Sequence, residues 1–569
     1  MSGTSPPGRA RRERRPTPGA LAAAACALLA ATLGAGCAAM PDQRRETFGI
    51  DFRLPEPPQE PAAVVFFVDG VSPPVFNELL QAGRLPNLQR YFVERGLWVE
   101  RCVANIPSVT LANETSFVTG LFPGRHGVTG INWFDRNRLM TRNYEEVNQK
   151  NTLDGDYTAP TIYERLPDET TFSLFFQAHR GATKFAENWT SAGPPYFFGW
   201  YQFVDRIALW RFDVVAEVSR KRGRLPALVI AYLLAPDMEA YRSGVSSAAY
   251  REALVHADTH IGRILRDYEK AGLLEHLILV LVSDHGMTDI AQHWPIEKWF
   301  RDETRLDVAG EGWAEDIPFE RRLDYYRRFS CVLAGSGDRY WAVYLRKPRA
   351  ADGDSRKPEF EDWLVRPSAD DLRAYPTRDG RRVDLVELLR NAEAVDLVAF
   401  RAGPGCVRLV TKKGTAEVTG NRRACAYRVL RGNDPLSYAG AVPPQMLTGR
   451  AFETQLWLEV TADTDYPDLV PQILAYFEAP RAGDLAVFAA PGWDFATHYK
   501  TGHGGVRPED MFVPLLMAGP GVPHLRHPGP VRAVDVAPTL LELLGRPVPP
   551  DLDGRSLLGQ GPVEVGPGR

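Results

Sequence analysis

Thr110 lies between Val109 and Leu111, with Asn113 three residues on, and its hydroxyl opens a run with helical character. A hydroxyl at a helix start sits beside backbone N–H groups that hold anions well. A threonine hydroxyl is a weak nucleophile unless a base or a metal ion activates it. Groups that could do so are scattered along the chain. They are Asp69 before Gly70, Asp237 after Pro236, Asp284–His285 within a Ser-Asp-His-Gly-Met run, and His503 between two glycines. Carboxylate oxygens combined with imidazole nitrogens make a donor set suited to Zn2+. The residue types point to Thr110 as a nucleophile ringed by metal ligands.

Something must bring these residues together, and the hydrophobic pattern says what. Residues 62–68, 227–234 and 277–282 are apolar runs without alternation, as expected of strands buried on both faces of a parallel sheet. Each ends at or near one of the candidate ligands: Asp69, Asp237 and Asp284. Helical spacing is expected over 75–92 and 250–265, a further strand over 512–517, and a helix over 536–544 with Pro538 in its first turn. This alternation predicts an α/β fold: a doubly wound, mainly parallel sheet sandwiched by helices. In such sheets, ligands bind just past the carboxyl ends of the strands. The catalytic core is expected over 61–295 and again over 481–560. Aromatic-rich residues 132–226 are read as part of the sheet plus a lid-like insertion. Residues 296–480 are read as an inserted smaller α+β subdomain, and 561–569 as a tail.

At 569 residues the chain exceeds what one hydrophobic core usually supports. A formal net charge of −4 gives no sign of a nucleic-acid-binding surface, which would be basic. Arg9, Arg11, Arg12, Arg14 and Arg15 precede an Ala/Leu run over 20–33, the layout of an export signal. The run ends Leu33–Gly34–Ala35–Gly36–Cys37, which resembles a bacterial lipobox, with Gly34 where that pattern carries Leu, Val or Ile. Lipidation at Cys37, an uncleaved anchor and a cleaved soluble form are the three outcomes, and all of them export the chain. Residues 1–37 are thus an export, lipoprotein or anchor segment, and 38–60 a tether holding the chain at a membrane through its N-terminus. Cys102, Cys331, Cys406 and Cys425 remain; Cys406 and Cys425 flank a hairpin and either form a disulfide or stay as buried thiols.

The ordered set strengthens the reading. Asp69–Gly70, Pro107-x-x-Thr110-x-x-Asn113, Pro236–Asp237, Ser283–Asp284–His285–Gly286–Met287 and Gly502–His503–Gly504 together resemble the alkaline phosphatase superfamily. The likeness is closest to its type I phosphodiesterase/nucleotide pyrophosphatase branch. It extends from about residue 62 to 557, with Leu552–Asp553–Gly554 similar to the superfamily's C-terminal segment. The resemblance implies one metal held by Asp69, Thr110, Asp284 and His285, and a second held by Asp237, His503 and a third ligand. In the resembled pattern that third ligand is a His four residues after the Asp; here the position is Tyr241. A phenol with a pKa near 10 is a poorer ligand at neutral pH, and Glu239 or His498 are the stand-ins. Asn113 resembles the amide that steadies a phosphoryl oxygen. Tyr232 matches an aromatic that stacks on a nucleobase, while its partner position holds Leu111.

The resemblance implies an exported hydrolase that needs two divalent metal ions, Zn2+ by donor type. It would cut phosphodiester or pyrophosphate bonds through a phospho-threonine, in a phosphoester small molecule or a lipid. Ala112 and Glu114 break the Cys/Ser-x-Pro-x-Arg pattern of sulfatases. Phosphoethanolamine transferases also use Thr, so a transferase acting on envelope components is the alternative, followed by a non-catalytic relative with an impaired second metal site. His126 is read as fixing a turn, and His256 with His260 as an ordinary helix face.

Overall fold

The computed structural model describes residues 50–309, 317–349 and 358–559, apart from 57, 59, 147 and 148. The proposed signal and the C-terminal tail lie outside the described residues. Its first sheet is built as expected. Ala62–Val68 lies between Leu277–Val282 and Leu228–Leu233, parallel to both. Thr171–Leu174 and Lys184–Ala186, both within residues 132–226, continue the sheet in parallel on one side. On the other side Phe512–Ala518 runs antiparallel and joins Gly96–Val103.

Side-chain alternation along Ala62–Val68 shows why its sequence is apolar throughout. Val64, Phe66 and Val68 pack with the helices Pro73–Gln81 and Ala248–Lys270. Ala63, Val65 and Phe67 pack on the other face with Thr110–Thr119 and Val536–Leu543. A strand covered by helices on both sides has no face left for polar residues. The helix expected over 75–92 stops at Gln81, because Gly83 takes φ +69° and Pro86 follows with no N–H to give. Two short helical turns, Pro86–Leu88 and Gln89–Val93, cover the remainder.

The second sheet departs from expectation in size and boundary. It also has nine strands, in the order Val308–Ala309, Cys331–Ser336, Tyr340–Leu345, Leu485–Ala489, Val395–Gly403, Cys406–Val410, Gly414–Gly420, Ala424–Gly432 and Thr448–Glu453. It is therefore no smaller in strand number than the first. Leu485–Ala489 lies in its middle, paired with both neighbours, so the inserted unit runs past 480. The apolar Leu485–Ala489 run is compatible with either sheet, and only its partners decide. Cys406 and Cys425 sit on strands separated by Gly414–Gly420, and all four described cysteines are free thiols.

Candidate active site

Three neighbouring strands of the first sheet end at one place. Ala62–Val68 delivers Asp69, Leu277–Val282 delivers Asp284 and His285, and Leu228–Leu233 leads into the helix Ala235–Ser243, which carries Asp237 in its first turn. Gly70, at φ +63°, permits this convergence: a Cβ there would lie 2.7 Å from that of Asp237. Thr110 is the first residue of its helix, anchored below by Ala112 and Phe117 in the core. His503 follows Thr501–Gly502, which pairs with Thr288–Asp289 just beyond His285. Asp69, Asp237, Asp284, His285 and His503 are all buried.

The imidazoles are oriented by carbonyls. His285 Nδ1 contacts the Gly286 carbonyl at 2.9 Å, and His503 Nδ1 the Ser108 carbonyl at 2.9 Å. A carbonyl only accepts, so each Nδ1 carries the proton and each Nε2 lone pair is left for a ligand. His285 Nε2 lies 3.3 Å from Asp69 Oδ1, from Asp284 Oδ2 and from Thr110 Oγ1. The His285 and His503 rings are parallel with centroids 3.5 Å apart. Donor atoms of Asp69, Asp284 and His285 fall within 4.8 Å of one another, as do those of Asp237, His285 and His503.

The electrostatics identify what this cluster is shaped to receive. Asp69 Oδ1, Asp237 Oδ1 and Asp284 Oδ2 are buried and have no hydrogen-bond partner among the described residues. Burial, and then the neighbouring carboxylates, hold Asp69 and Asp237 well above the ordinary carboxylate range; burial also raises Asp284. Burial pushes the His285 imidazole down to about 3 and that of His503 well below its usual value, so both stay neutral. Unpaired buried carboxylate oxygens are costly unless a cation joins them. Three such oxygens and two inward lone pairs are a donor set that divalent cations fit.

Other expected residues fall elsewhere. Asn113 is buried: its Nδ2 donates to the Asn105, Pro107 and Val109 carbonyls at 3.2, 3.1 and 3.1 Å, and its Oδ1 accepts from the Asn105 backbone at 2.8 Å. The amide ties down the loop that leads to Thr110. Leu111 points into the core and offers no stacking face. The Tyr232 hydroxyl donates to Asp69 Oδ2, so this ring steadies a carboxylate of the cluster. Tyr241 lies beside the second group, its ring centroid 5.9 Å from that of His503. Glu239 is taken by Arg242 at 2.6 Å and Ser243 at 2.8 Å, and His498 is exposed on Thr497, which removes both stand-ins. His126 does fix a turn, contacting Ser116 Oγ at 2.9 Å and accepting from Val128 N at 3.2 Å.

Two contributors carried no local sequence signal. Asp205, buried on the Tyr201–Trp210 helix, accepts from Leu234 N at 2.8 Å and Ala235 N at 3.2 Å, fixing the turn ahead of Asp237. Asp338 sits in a Gly-Asp turn whose tip rests against His503.

A doubly wound sheet carrying strand-end carboxylates and imidazoles around a helix-start threonine defines a member of the alkaline phosphatase superfamily. More narrowly, the chain belongs to the type I phosphodiesterase / nucleotide pyrophosphatase family, whose sequence model matches residues 63–366, more than half of it. A pyrophosphatase/phosphodiesterase of Schizosaccharomyces pombe is 23% identical over 292 residues, 48% of this chain and 56% of that protein. A bis(5'-adenosyl)-triphosphatase of Bos taurus is 26% identical over 220 residues, 38% of this chain and 46% of its own length. The chain thus spans about half the length of these curated relatives. Murine ectonucleotide pyrophosphatase/phosphodiesterase 5 has a similar fold, with a TM-score of 0.51 at 14% identity over 86% of this chain and 96% of the murine one.

Proposed function

We propose that the protein is an exported, membrane-tethered phosphoesterase that hydrolyses phosphodiester or pyrophosphate bonds with Thr110 as nucleophile. The observation that carries this reading is the convergence of Asp69 Oδ1, Asp284 Oδ2 and Thr110 Oγ1 on His285 Nε2, each at 3.3 Å, with two of those oxygens lacking any hydrogen-bond donor. Asp69, Thr110, Asp284 and His285 would hold one divalent ion, and Asp237 and His503 would contribute to a second, with Zn2+ favoured by the donor types. When bound, such ions supply positive charge for the phosphoryl oxygens and for a threonine oxygen that has lost its proton.

The chain's own groups do the rest. The first N–H groups of the Thr110–Thr119 helix have no intrahelical acceptor, and a helix start of this kind would donate to phosphoryl oxygens beside Thr110. Asn113 and Ser108 hold the approach loop, so Thr110 Oγ1 meets phosphorus with little rearrangement. Attack forms a bond from phosphorus to Thr110 Oγ1 and breaks the bond to the leaving oxygen, which departs with a proton. Water then adds to the same phosphorus, the Thr110 ester breaks, and the hydroxyl regains its proton. Support for threonine as the attacking residue also comes from a relative. A solved structure of the murine protein is that of an inactive variant, in complex with AMP, in which alanine replaces a threonine.

The test is turnover of bis-p-nitrophenyl phosphate, p-nitrophenyl phosphate and p-nitrophenyl sulfate by the purified chain. Diester cleavage lost both in Thr110→Ala and after chelation fits the proposal. Cleavage that persists in Thr110→Ala sinks it. An absence of hydrolysis with labelling of Thr110 by a phosphoethanolamine lipid would favour the transferase instead.

A further inference from the structure

We propose that Asp338, at the tip of a hairpin of the second sheet, replaces the missing ligand at Tyr241 and completes the second metal site. This rests on the two-metal reading above. Within the core, that half of the site has only Asp237 and His503 of its own, one side chain short of the three that a zinc site with an open position usually takes. Tyr241 is turned to packing: its ring meets Tyr499 edge-to-face at 5.0 Å. Glu239 is paired with Arg242, and His498 points to solvent.

The hairpin joins Cys331–Ser336 to Tyr340–Leu345, with Ser336 opposite Tyr340 and Gly337, Asp338 and Arg339 in the loop. Gly337 and Asp338 adopt φ +62° and +63°, a conformation that Gly and Asp accept in tight turns. The tip is clasped to His503. His503 N donates to the Gly337 carbonyl at 2.9 Å, Arg339 N donates to the His503 carbonyl at 3.1 Å, and Asp338 pairs with His503 as a parallel bridge. Approach is so close that a Cβ at Gly337 would lie 2.7 Å from His503 Cε1 and Nδ1. Beneath the tip, fully buried Arg339 donates to Asp510 Oδ2 at 2.7 Å and to the Ala490 carbonyl at 3.2 Å, which fixes its height over the site.

Asp338 is half-buried at this tip, beside the site. Asp237 Oδ1 belongs to a residue only 6% exposed and has no partner among the described residues, an arrangement that a cation would relieve. Asp338 stands outside the group of donors lying within 4.8 Å of one another, so its side chain would have to turn toward Asp237 and His503 to hold a cation there. Each half of the site then has the same complement of two carboxylates and one imidazole, with His285 and His503 as the imidazoles.

The test is metal content by mass spectrometry, with Zn2+ affinity by chelator competition, on the full chain and on Asp338→Asn, Tyr241→Phe and Asp338→Asn/Tyr241→His. Asn matches Asp in size and tolerance of this backbone, and circular dichroism checks folding. The expected result is two ions per chain in wild type and in Tyr241→Phe. In Asp338→Asn, one ion should bind about 10–100-fold more weakly, a loss of the size seen when support of a metal site is removed. The double variant, which puts a histidine at 241, should regain it. Two ions held with wild-type affinity in Asp338→Asn overturn the inference and leave the two-metal reading standing. No ion in wild type overturns both. Loss of folding in Asp338→Asn, together with failure of the double variant to bind two ions, also counts against it.

Discussion

The two halves of the site are built in different ways. Asp69, Asp284 and His285 all stand at the ends of adjacent parallel strands, and their spacing follows from the register of the sheet. Asp237 and His503 come from a helix start and a loop, and a hairpin of the other sheet, held by the buried Arg339–Asp510 pair, presses on His503. The first half is fixed by one local architecture. The second depends on two sheets meeting correctly, and so it is the half that a remote substitution can disturb.

The largest effect should come where the halves meet. Thr110→Ala is expected to lower diester turnover by about 10⁴-fold or more, as loss of a covalent nucleophile does elsewhere, with metal content retained. Arg339→Met comes next. It strands the Asp510 carboxylate, which burial already raises to about 7 even beside the guanidinium. Breaking a buried pair by removing one partner costs about 3–5 kcal/mol. Urea unfolding should record that loss, and the second ion should weaken while the first does not. Equal weakening of both would erase the distinction drawn between the halves.

Tyr232→Phe probes the other half. It removes the donor to Asp69 Oδ2 and should weaken the first ion by about 10–100-fold, the range for a lost support of a metal ligand, leaving the second unchanged. Asp205→Asn is the smallest. Burial raises Asp205 to about 8 from 3.8, so the folded chain keeps a proton that the unfolded chain releases. Its contribution is therefore greatest at low pH and is lost as pH rises from the ordinary carboxylate range through about 8. Asn is a neutral acceptor at every pH, so the variant should show a flatter fall in the urea midpoint between pH 5 and pH 9. An unchanged slope would mean that Asp205 is ionised in the folded chain.

Much of the first half was legible in the chain itself. Leu277–Val282 reads as a doubly buried strand because no residue in it is polar, and the Asp-His pair after it has nowhere to stand but the sheet edge. Asn113 was ambiguous in the chain because its spacing from Thr110 is compatible both with facing a substrate and with facing its own loop. Only the positions of the Asn105, Pro107 and Val109 carbonyls decide between them. The sheet that takes Leu485–Ala489 was illegible for a similar reason: an apolar run announces a strand and says nothing about which sheet takes it.

By itself, then, the sequence determined the doubly wound core and the family, and it singled out Thr110 and the carboxylates and imidazoles at the strand ends, since periodicity and strand termini are local properties. The tertiary structure alone decided that Asn113 is a brace, that Tyr232 supports Asp69, and that Asp338 reaches His503 from more than 160 residues away. Those are contacts between segments distant in the chain, and no spacing rule encodes where two sheets will touch.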